Sequence, residues 1–214
     1  MISHALIIIV NELNQHLDDV YGVDAAGARV GLRNLSQEPV AANSGADSKT
    51  QECINLSVVN IKEEKSLKNI PNVTRNDVSM TALYENPPVF LNFQILVTAT
   101  HKSYSDALLM LSRVIRFFQY KNAFTQDQVS PGSLTKNAPG NAIDQLKAFK
   151  IIFDLYSPTL EESNHMWGTL GGKQYPFVLY TMRMLDLKFM AAPREGALIS
   201  EVVTELYHKP AVGM

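Results

Sequence analysis

Cysteine is nearly missing from this sequence of 214 residues, and so is any long run of basic charge. The single cysteine, Cys53, cannot form a disulfide within the chain, which favours a reducing compartment. Because Cys53 stands just before an apolar, strand-like run, we predict a buried and unreactive thiol. The densest lysine group, residues 62–68, is interrupted by Glu63 and Glu64, and the net charge is only −2. Nucleic-acid backbones attract a stripe of positive charge, so nucleic-acid binding is not expected.

Long hydrophobic runs are absent as well. The N-terminal apolar run, residues 5–10, is too short to cross a membrane and has no basic leader before it. Acidic residues follow it directly at Glu12, Asp18 and Asp19. We therefore predict no signal peptide and no membrane anchor, and an intracellular protein.

The sequence also lacks the motifs that hold phosphates. Gly172-Lys173 has the form of the end of a phosphate-binding loop. That loop needs a glycine five positions before Gly172, where Trp167 stands, and a serine or threonine after the lysine, where Gln174 stands. No Gly-rich dinucleotide turn is present either, so we predict no nucleotide site.

No cluster of metal ligands or catalytic groups stands out. Glu162 and His165 have a spacing found in some metal sites, but a second such pair is missing, so we interpret them as a polar helix face. The five histidines are scattered along the chain, at His4, His16, His101, His165 and His208. We predict no catalytic residue, metal or cofactor, and a melting temperature that does not change with EDTA, zinc or ATP. An enzyme with a site assembled only in space remains an alternative.

Apolar material for a core is present, because hydrophobic residues make up 46% and charged residues 19% of the chain. We expect one domain over residues 1–206 and a C-terminal tail over 207–214. Three helices are predicted, beginning near the N-terminus, at Ser103 and at Thr159, and the first and third end at Gly22 and at Gly171-Gly172. The first helix has an apolar stripe of Leu6, Ile9, Val10, Leu13, Leu17, Val20 and Tyr21. The second has a stripe of Leu108, Leu111, Ile115 and Phe118.

Alternating apolar residues predict strands over 29–32, 54–61, 89–98, 149–155 and 177–189. In the last of these we place Leu179, Leu185, Leu187 and Phe189 on one face. Long loops are expected at 34–52, 69–88 and 121–145, and residues 198–206 fit either strand or helix. Neighbouring strands without a helix between them indicate an α/β (α+β) fold in which helices pack on a mixed, largely antiparallel sheet.

Several segments, taken in order, resemble a known family. They are MISHAL (1–6), LSVVNIKEEK (56–65), LKN (67–69), NPPVFLN (86–92), the helix from Tyr104 to FFQ (117–119), NHMWGTLGGKQ (164–174), Pro176 and Tyr180. Together they span roughly residues 1–206 and resemble the cap, or tail-terminator, proteins of extracellular contractile injection systems of the antifeeding-prophage type. Their shared N-terminal domain was formerly of unknown function. No segment is a catalytic motif, so the specificity of the resemblance comes from their order.

The resemblance implies a structural role and a set of partners. It implies a small α/β fold like that of phage tail terminators and a ring of six identical copies. The ring closes the end of the inner tube and contacts the sheath, as part of a particle that can be released from the cell. An adaptor that binds a toxin or a baseplate component of such a particle is the alternative that stays open.

Trp167 is the only tryptophan, and it lies in the segment that carries the resemblance most strongly. Two roles are open for it: a core residue that specifies the fold, which we favour, and an anchor at an interface between subunits. In the second case the turn after the helix, with Lys173 and Gln174, also presents a surface to a neighbouring subunit.

Overall fold

The computed structural model describes residues 1–22, 30–35, 53–67, 69, 71–76, 81–84, 86–172, 174–187, 194–197 and 202–205. Within these residues lie four α-helices and nine β-strands. The helices are α1 (Ile2–Tyr21), α2 (Tyr104–Tyr120), α3 (Pro131–Thr135) and α4 (Leu160–Thr169). The strands are β1 (Val30–Leu32), β2 (Ile54–Glu63), β3 (Val73–Asn76), β4 (Thr81–Tyr84), β5 (Val89–Ala99), β6 (Ala123–Thr125), β7 (Lys150–Tyr156), β8 (Phe177–Leu187) and β9 (Arg194–Ala197).

The strands form a six-stranded sheet in the order β1-β2-β5-β8-β7-β6 and a three-stranded sheet in the order β3-β4-β9. In the larger sheet β1 pairs parallel with β2, and every other pairing is antiparallel. Both pairings of the smaller sheet are antiparallel. The predicted fold class, a mixed and largely antiparallel sheet with helices packed on it, is confirmed.

The main core lies between α1, α2 and one face of the larger sheet, which we call the inner face. Alternating residues of β5 supply Phe93, Ile95 and Val97 to this face, and all three side chains are buried. Aromatic rings from α2, β6, β7 and β8 meet here, with the Phe118 ring stacked on the Phe153 ring at 4.7 Å between centroids. The opposite, outer face carries Leu96 and Leu179, which pack in a second cluster.

The first helix agrees with its prediction, and it ends at Gly22 with φ of 78°. Leu6, Ile9, Leu13 and Leu17 are buried, but Val20 is exposed. Cys53 is buried as predicted, and its thiol donates to Asn55 Oδ1 at 3.0 Å.

The buried stripe of α2 is only half as predicted, since Leu111 and Phe118 are buried. Ser103 caps the helix, since its hydroxyl accepts a bond from the Asp106 N–H at 3.4 Å. Leu108 and Ile115, however, are exposed, and the buried residues are Ala107, Met110, Leu111, Val114, Phe117 and Phe118. Residues 107–111 are all apolar, so the helical period fits two adjacent faces equally well. The face with both phenylalanines is buried because it meets the ring cluster of the sheet.

Two predicted loops contain regular structure. The segment 69–88 holds the hairpin β3–β4, and β4 also pairs with β9, which lies more than a hundred residues away in sequence. The segment 121–145 holds β6 and α3. Most of the predicted loop 34–52 lies outside the described residues. So does most of 198–206, of which residues 202–205 are exposed and neither strand nor helix. The predicted tail 207–214 stays a prediction.

The last long strand also differs from its prediction. The register of β5 with β8 shifts between Leu91 and Phe93, and this bulge reverses the alternation along β8. Leu179 therefore packs on the outer face, whereas Leu185 packs in the main core. Phe189 lies outside the described residues.

Polar residues of α1 fasten the segment around α3 to the main core. Asn11 Nδ2 donates to the carbonyl oxygens of Ser133 (3.0 Å) and Lys136 (2.9 Å). His4 is buried, and its Nδ1 accepts a bond from the Leu146 N–H at 2.8 Å. These bonds satisfy backbone groups that would otherwise be buried without a partner.

Glu12 adds a charged link to the same segment. Its carboxylate is buried and accepts bonds from Lys121 Nζ (2.7 Å), the Ser130 N–H (2.9 Å) and the Ser130 hydroxyl (2.7 Å). Burial alone would raise the pKa of Glu12, but the Lys121 and Ser130 bonds outweigh it and lower the pKa below its usual value near 4.5.

The lowered pKa of Glu12 predicts a pH dependence of stability. A carboxyl with a depressed folded-state pKa stabilises the fold fully above its unfolded value, and this stability is lost as pH falls through the folded pKa. We expect Glu12→Gln to flatten the acid side of the curve of unfolding free energy against pH, below about pH 4.5. Urea denaturation of both proteins across pH 3–7 measures this, and parallel curves would contradict the assignment.

Candidate functional site

The segment that carries the family resemblance most strongly, residues 164–174, begins inside helix α4. The start of this helix is held by a reciprocal cap. The Glu162 N–H donates to Thr159 Oγ1 at 3.2 Å, and the Thr159 N–H donates to Glu162 Oε2 at 2.9 Å. The Tyr156 hydroxyl donates to the same carboxylate at 3.1 Å. The Thr159 N–H and then the Tyr156 hydroxyl lower the pKa of Glu162. Glu162 is therefore occupied in fixing α4 to the end of β7.

Removing this cap is expected to loosen α4. Thr159→Ala deletes the acceptor for the Glu162 N–H, and loss of an N-cap typically costs about 1 kcal/mol. Ser103→Ala at the start of α2 is a matched control with a smaller expected loss, because its cap bond is longer, at 3.4 Å. Urea denaturation of both variants measures the difference. An equal or larger loss from Ser103→Ala would contradict the ranking.

Two glycines end the helix as predicted. Gly171 and Gly172 have φ of 99° and 77°, in the left-handed region that favours glycine. The Gly172 N–H donates to the Trp167 carbonyl at 2.8 Å, which satisfies a carbonyl at the end of the helix. The turn therefore fixes the direction in which the chain leaves α4 towards β8.

Trp167 points from α4 onto the outer face of the sheet. Its side chain is only 5% exposed and packs with Leu35, Leu96 and Leu179. The Phe177 ring meets it edge-on at 5.4 Å. The indole Nε1 is buried and has no hydrogen-bond partner within the described part of the chain. The position is that of a core residue, which agrees with the role that we favoured.

Of the other two predicted interface residues, the structure describes only one. Gln174 is exposed beside the turn, and Lys173 lies outside the described residues. A contact of Lys173 and Gln174 with a neighbouring subunit stays a prediction. We expect Lys173→Glu to leave the melting temperature unchanged and to weaken assembly only if this turn lies in an interface.

Glu162 and His165 do not form a joint site. His165 is exposed, and its Nε2 lies 3.7 Å from Glu161 rather than beside the capping carboxylate of Glu162. Across the described ranges, no group of three or more His, Cys, Asp or Glu side chains is placed to hold a metal ion. Nor is any described helix long and apolar enough to span a membrane.

A groove of about 430 Å³ lies between α4 and the strands β2 and β5 on the outer face. Asn60, Lys62 and Gln94 line one side, and Asn60 Nδ2 donates to Gln94 Oε1 at 3.1 Å across it. Farther along this face Arg183 pairs with Asp154 at 3.0 Å. The outer face beyond α4 is therefore an open, hydrogen-bonding surface, which suits contact with another protein.

Several apolar side chains on α2 and β2 are exposed, and the sequence patterns did not predict this exposure. Leu108, Leu109 and Ile115 are exposed on α2, and Val58 and Ile61 are exposed on β2. Val58 and Ile61 belong to the motif LSVVNIKEEK, whose apolar residues continue past the buried start of the strand. That continuation is the signal from which an exposed strand edge could have been inferred.

Residues 6–201 match the Pvc16 N-terminal domain family. This chain belongs to that family. The match covers nearly the whole chain and confirms the resemblance that the ordered motifs indicated. No curated protein matches the chain.

Two solved structures of contractile injection systems are similar to this member of the Pvc16 N-terminal domain family. One is the PVC sheath/tube terminator in the extended state, with 14% identity and a TM-score of 0.48, over 96% of this chain and 65% of that chain. The other is the anti-feeding prophage tube terminating cap, with 15% identity and a TM-score of 0.48, over 92% and 60%. This chain spans less than two thirds of the length of either protein.

Proposed function

We propose that this chain is a structural cap, or tube terminator, of a contractile injection particle. A ring of six copies closes the end of the inner tube and contacts the sheath. In this proposal residues 1–206 form one cap domain, residues 207–214 form a tail, and the protein assembles in the cytoplasm as part of a particle that is later released. Membership of the Pvc16 N-terminal domain family across residues 6–201 carries the proposal.

The arrangement of side chains supports a role in assembly. The capping carboxylate of Glu162 and the buried carboxylate of Glu12 are both committed to structural hydrogen bonds. The open surfaces are the polar outer face and the apolar patches on α2 and β2, which are suited to protein contacts. The two solved structures are described as a sheath/tube terminator and a tube terminating cap, and the proposal gives the same role to this chain.

Electron microscopy of the purified chain, alone and with the tube and sheath proteins of its own particle, tests the proposal. We expect a ring at the tube end opposite the baseplate, and tubes of irregular length when the chain is left out. Density in the tube lumen or at the baseplate would indicate a toxin or baseplate adaptor instead. Mass photometry that shows only monomer at every concentration, with and without tubes, would contradict a ring.

A further inference from the structure

The described strands cover each outer edge of the six-stranded sheet only in part. β1 pairs with Ile54, Asn55 and Leu56 at the start of β2, and β6 pairs with residues 150–152 at the start of β7. In the described part of the chain, no strand pairs with the outer edge of residues 58–62 of β2 or 154–156 of β7. Among the residues that the structure describes, each edge therefore combines a short covering strand with a free segment.

The two free segments lie towards opposite ends of the sheet. β1 covers the end at which Ile54 stands opposite Ala99, so the free part of β2 lies towards Glu63 and Leu91. β6 covers the other end of its edge, because Lys150 and its neighbours lie at the level of the C-terminal half of β8. One edge is free where the other is covered, so the two edges are complementary in outline.

The strand directions also allow the two edges of neighbouring copies to pair. β1 runs parallel to β2. The four antiparallel pairings from β2 through β5, β8 and β7 to β6 make β6 run parallel to β2 as well. If two copies stand side by side, β1 of one and β6 of the other can therefore lie end to end in a single row between β2 and β7.

We propose that this head-to-tail pairing of sheet edges joins neighbouring copies in the ring. β6 of one copy adds to residues 58–62 of β2 in the next, and β1 of that copy adds to residues 154–156 of β7 in the first. The proposal rests on the ring assembly proposed above. Contacts between different surfaces of identical subunits are the kind that close into rings.

The side chains on the free segments support a second copy of this chain as the partner. Val58, Ile61 and Leu155 are 37%, 51% and 60% exposed. Proteins usually protect free strand edges with charge, proline, a bulge or a covering element, because such edges pair with other chains. The register shift between Val58 and Asn60 disturbs only the first residues of the free segment of β2. A foreign peptide strand would use one edge only, whereas a second copy uses both and accounts for their matching outlines and directions.

Cysteine cross-linking of the full chain tests the pairing. In a Cys53→Ser background, Asn60→Cys or Ile61→Cys on β2 is combined with Ala123→Cys or Thr125→Cys on β6, which gives four variants. Asn60, Ala123 and Thr125 lie on the outer face, since Asn60 stands opposite Gln94 and the two β6 residues flank the buried Phe124. The Asn60 pairs are therefore the ones expected to cross-link, and the Ile61 pairs, which place the two thiols on opposite faces, are a further control. Ser112→Cys on the exposed side of α2, combined with the same β6 cysteines, is the matched control. Melting temperatures establish that each variant is folded.

Under mild oxidation at least one Asn60 variant is expected to move most of the chain from the monomer band into a ladder that ends at the closed ring. The Ile61 and Ser112 controls should remain largely monomeric on the same gel. If electron microscopy shows normal rings but only the control pairs cross-link, or none do, the edge pairing is wrong and the cap function stands. If no rings form alone or on tubes, both proposals fail.

Discussion

Replacing Trp167 by alanine is expected to lower the free energy of unfolding by about 3–5 kcal/mol, as for other buried large aromatics. The indole is 5% exposed and fills the space between α4 and the outer face of the sheet, against Leu96, Leu179 and Phe177. Alanine would remove these contacts and leave a cavity that the rigid strands cannot fully close. Urea denaturation measures the loss as a lower midpoint at an unchanged slope.

Trp167→Phe is the informative control for that prediction. The indole Nε1 has no hydrogen-bond partner in the described part of the structure, so phenylalanine removes ring volume without breaking a hydrogen bond. We expect it to lose less than half as much stability as alanine. Leu160→Ala on the same helix should change little, since Leu160 is 80% exposed. If Trp167→Ala unfolds like the wild type and yet fails to form rings, Trp167 is an interface anchor and the core assignment is wrong.

Removing the Glu12 carboxylate is the second change with a large expected effect. Glu12→Ala leaves the Ser130 N–H without its acceptor and the Lys121 ammonium without its carboxylate partner, with the Gln128 carbonyl still accepting from Lys121. Breaking a buried ion pair by removing one partner costs about 3–5 kcal/mol, and we expect about 3 because Lys121 is still partly exposed to water. Urea denaturation at pH 7 measures the loss.

Two further variants separate the charge of Glu12 from its hydrogen bonds. Glu12→Gln keeps an oxygen acceptor for Ser130 and should lose less than Glu12→Ala. Glu161→Ala removes an acidic side chain that is 85% exposed and should leave the midpoint unchanged. Equal stability of wild type and Glu12→Ala would show that α1 does not hold the α3 segment through this carboxylate.

Local sequence signals were sufficient to predict structure that depends on residues close together in the sequence. The caps at Ser103 and Thr159 and the glycines at 22, 171 and 172 lie where the sequence placed them, because these contacts span only a few residues. Period-two alternation likewise identified β5 and β7, each of which has one well-marked apolar face. The order of motifs identified the family.

Contacts between residues distant in the sequence decided the structure of the segments that were predicted as loops. Residues 121–145 were predicted as a loop because α3 and β6 are too short to show a hydrophobic period. Hydrogen bonds from the buried side chains of Asn11 and Glu12 order that segment. The hairpin in 69–88 completes a sheet only with β9.

The sequence by itself determined the three longest helices, five strands of the larger sheet, the two helix caps, the helix-ending glycines and the family, since each follows from nearby residues or from the order of motifs. Only the tertiary structure decided which face of α2 is buried, because an apolar run fits two faces until the aromatic rings of β7 and β8 meet one of them. The tertiary structure also decided which parts of the sheet edges are free. Strand pairing joins residues far apart in the chain, so the local sequence pattern of a strand does not indicate which strands lie beside it.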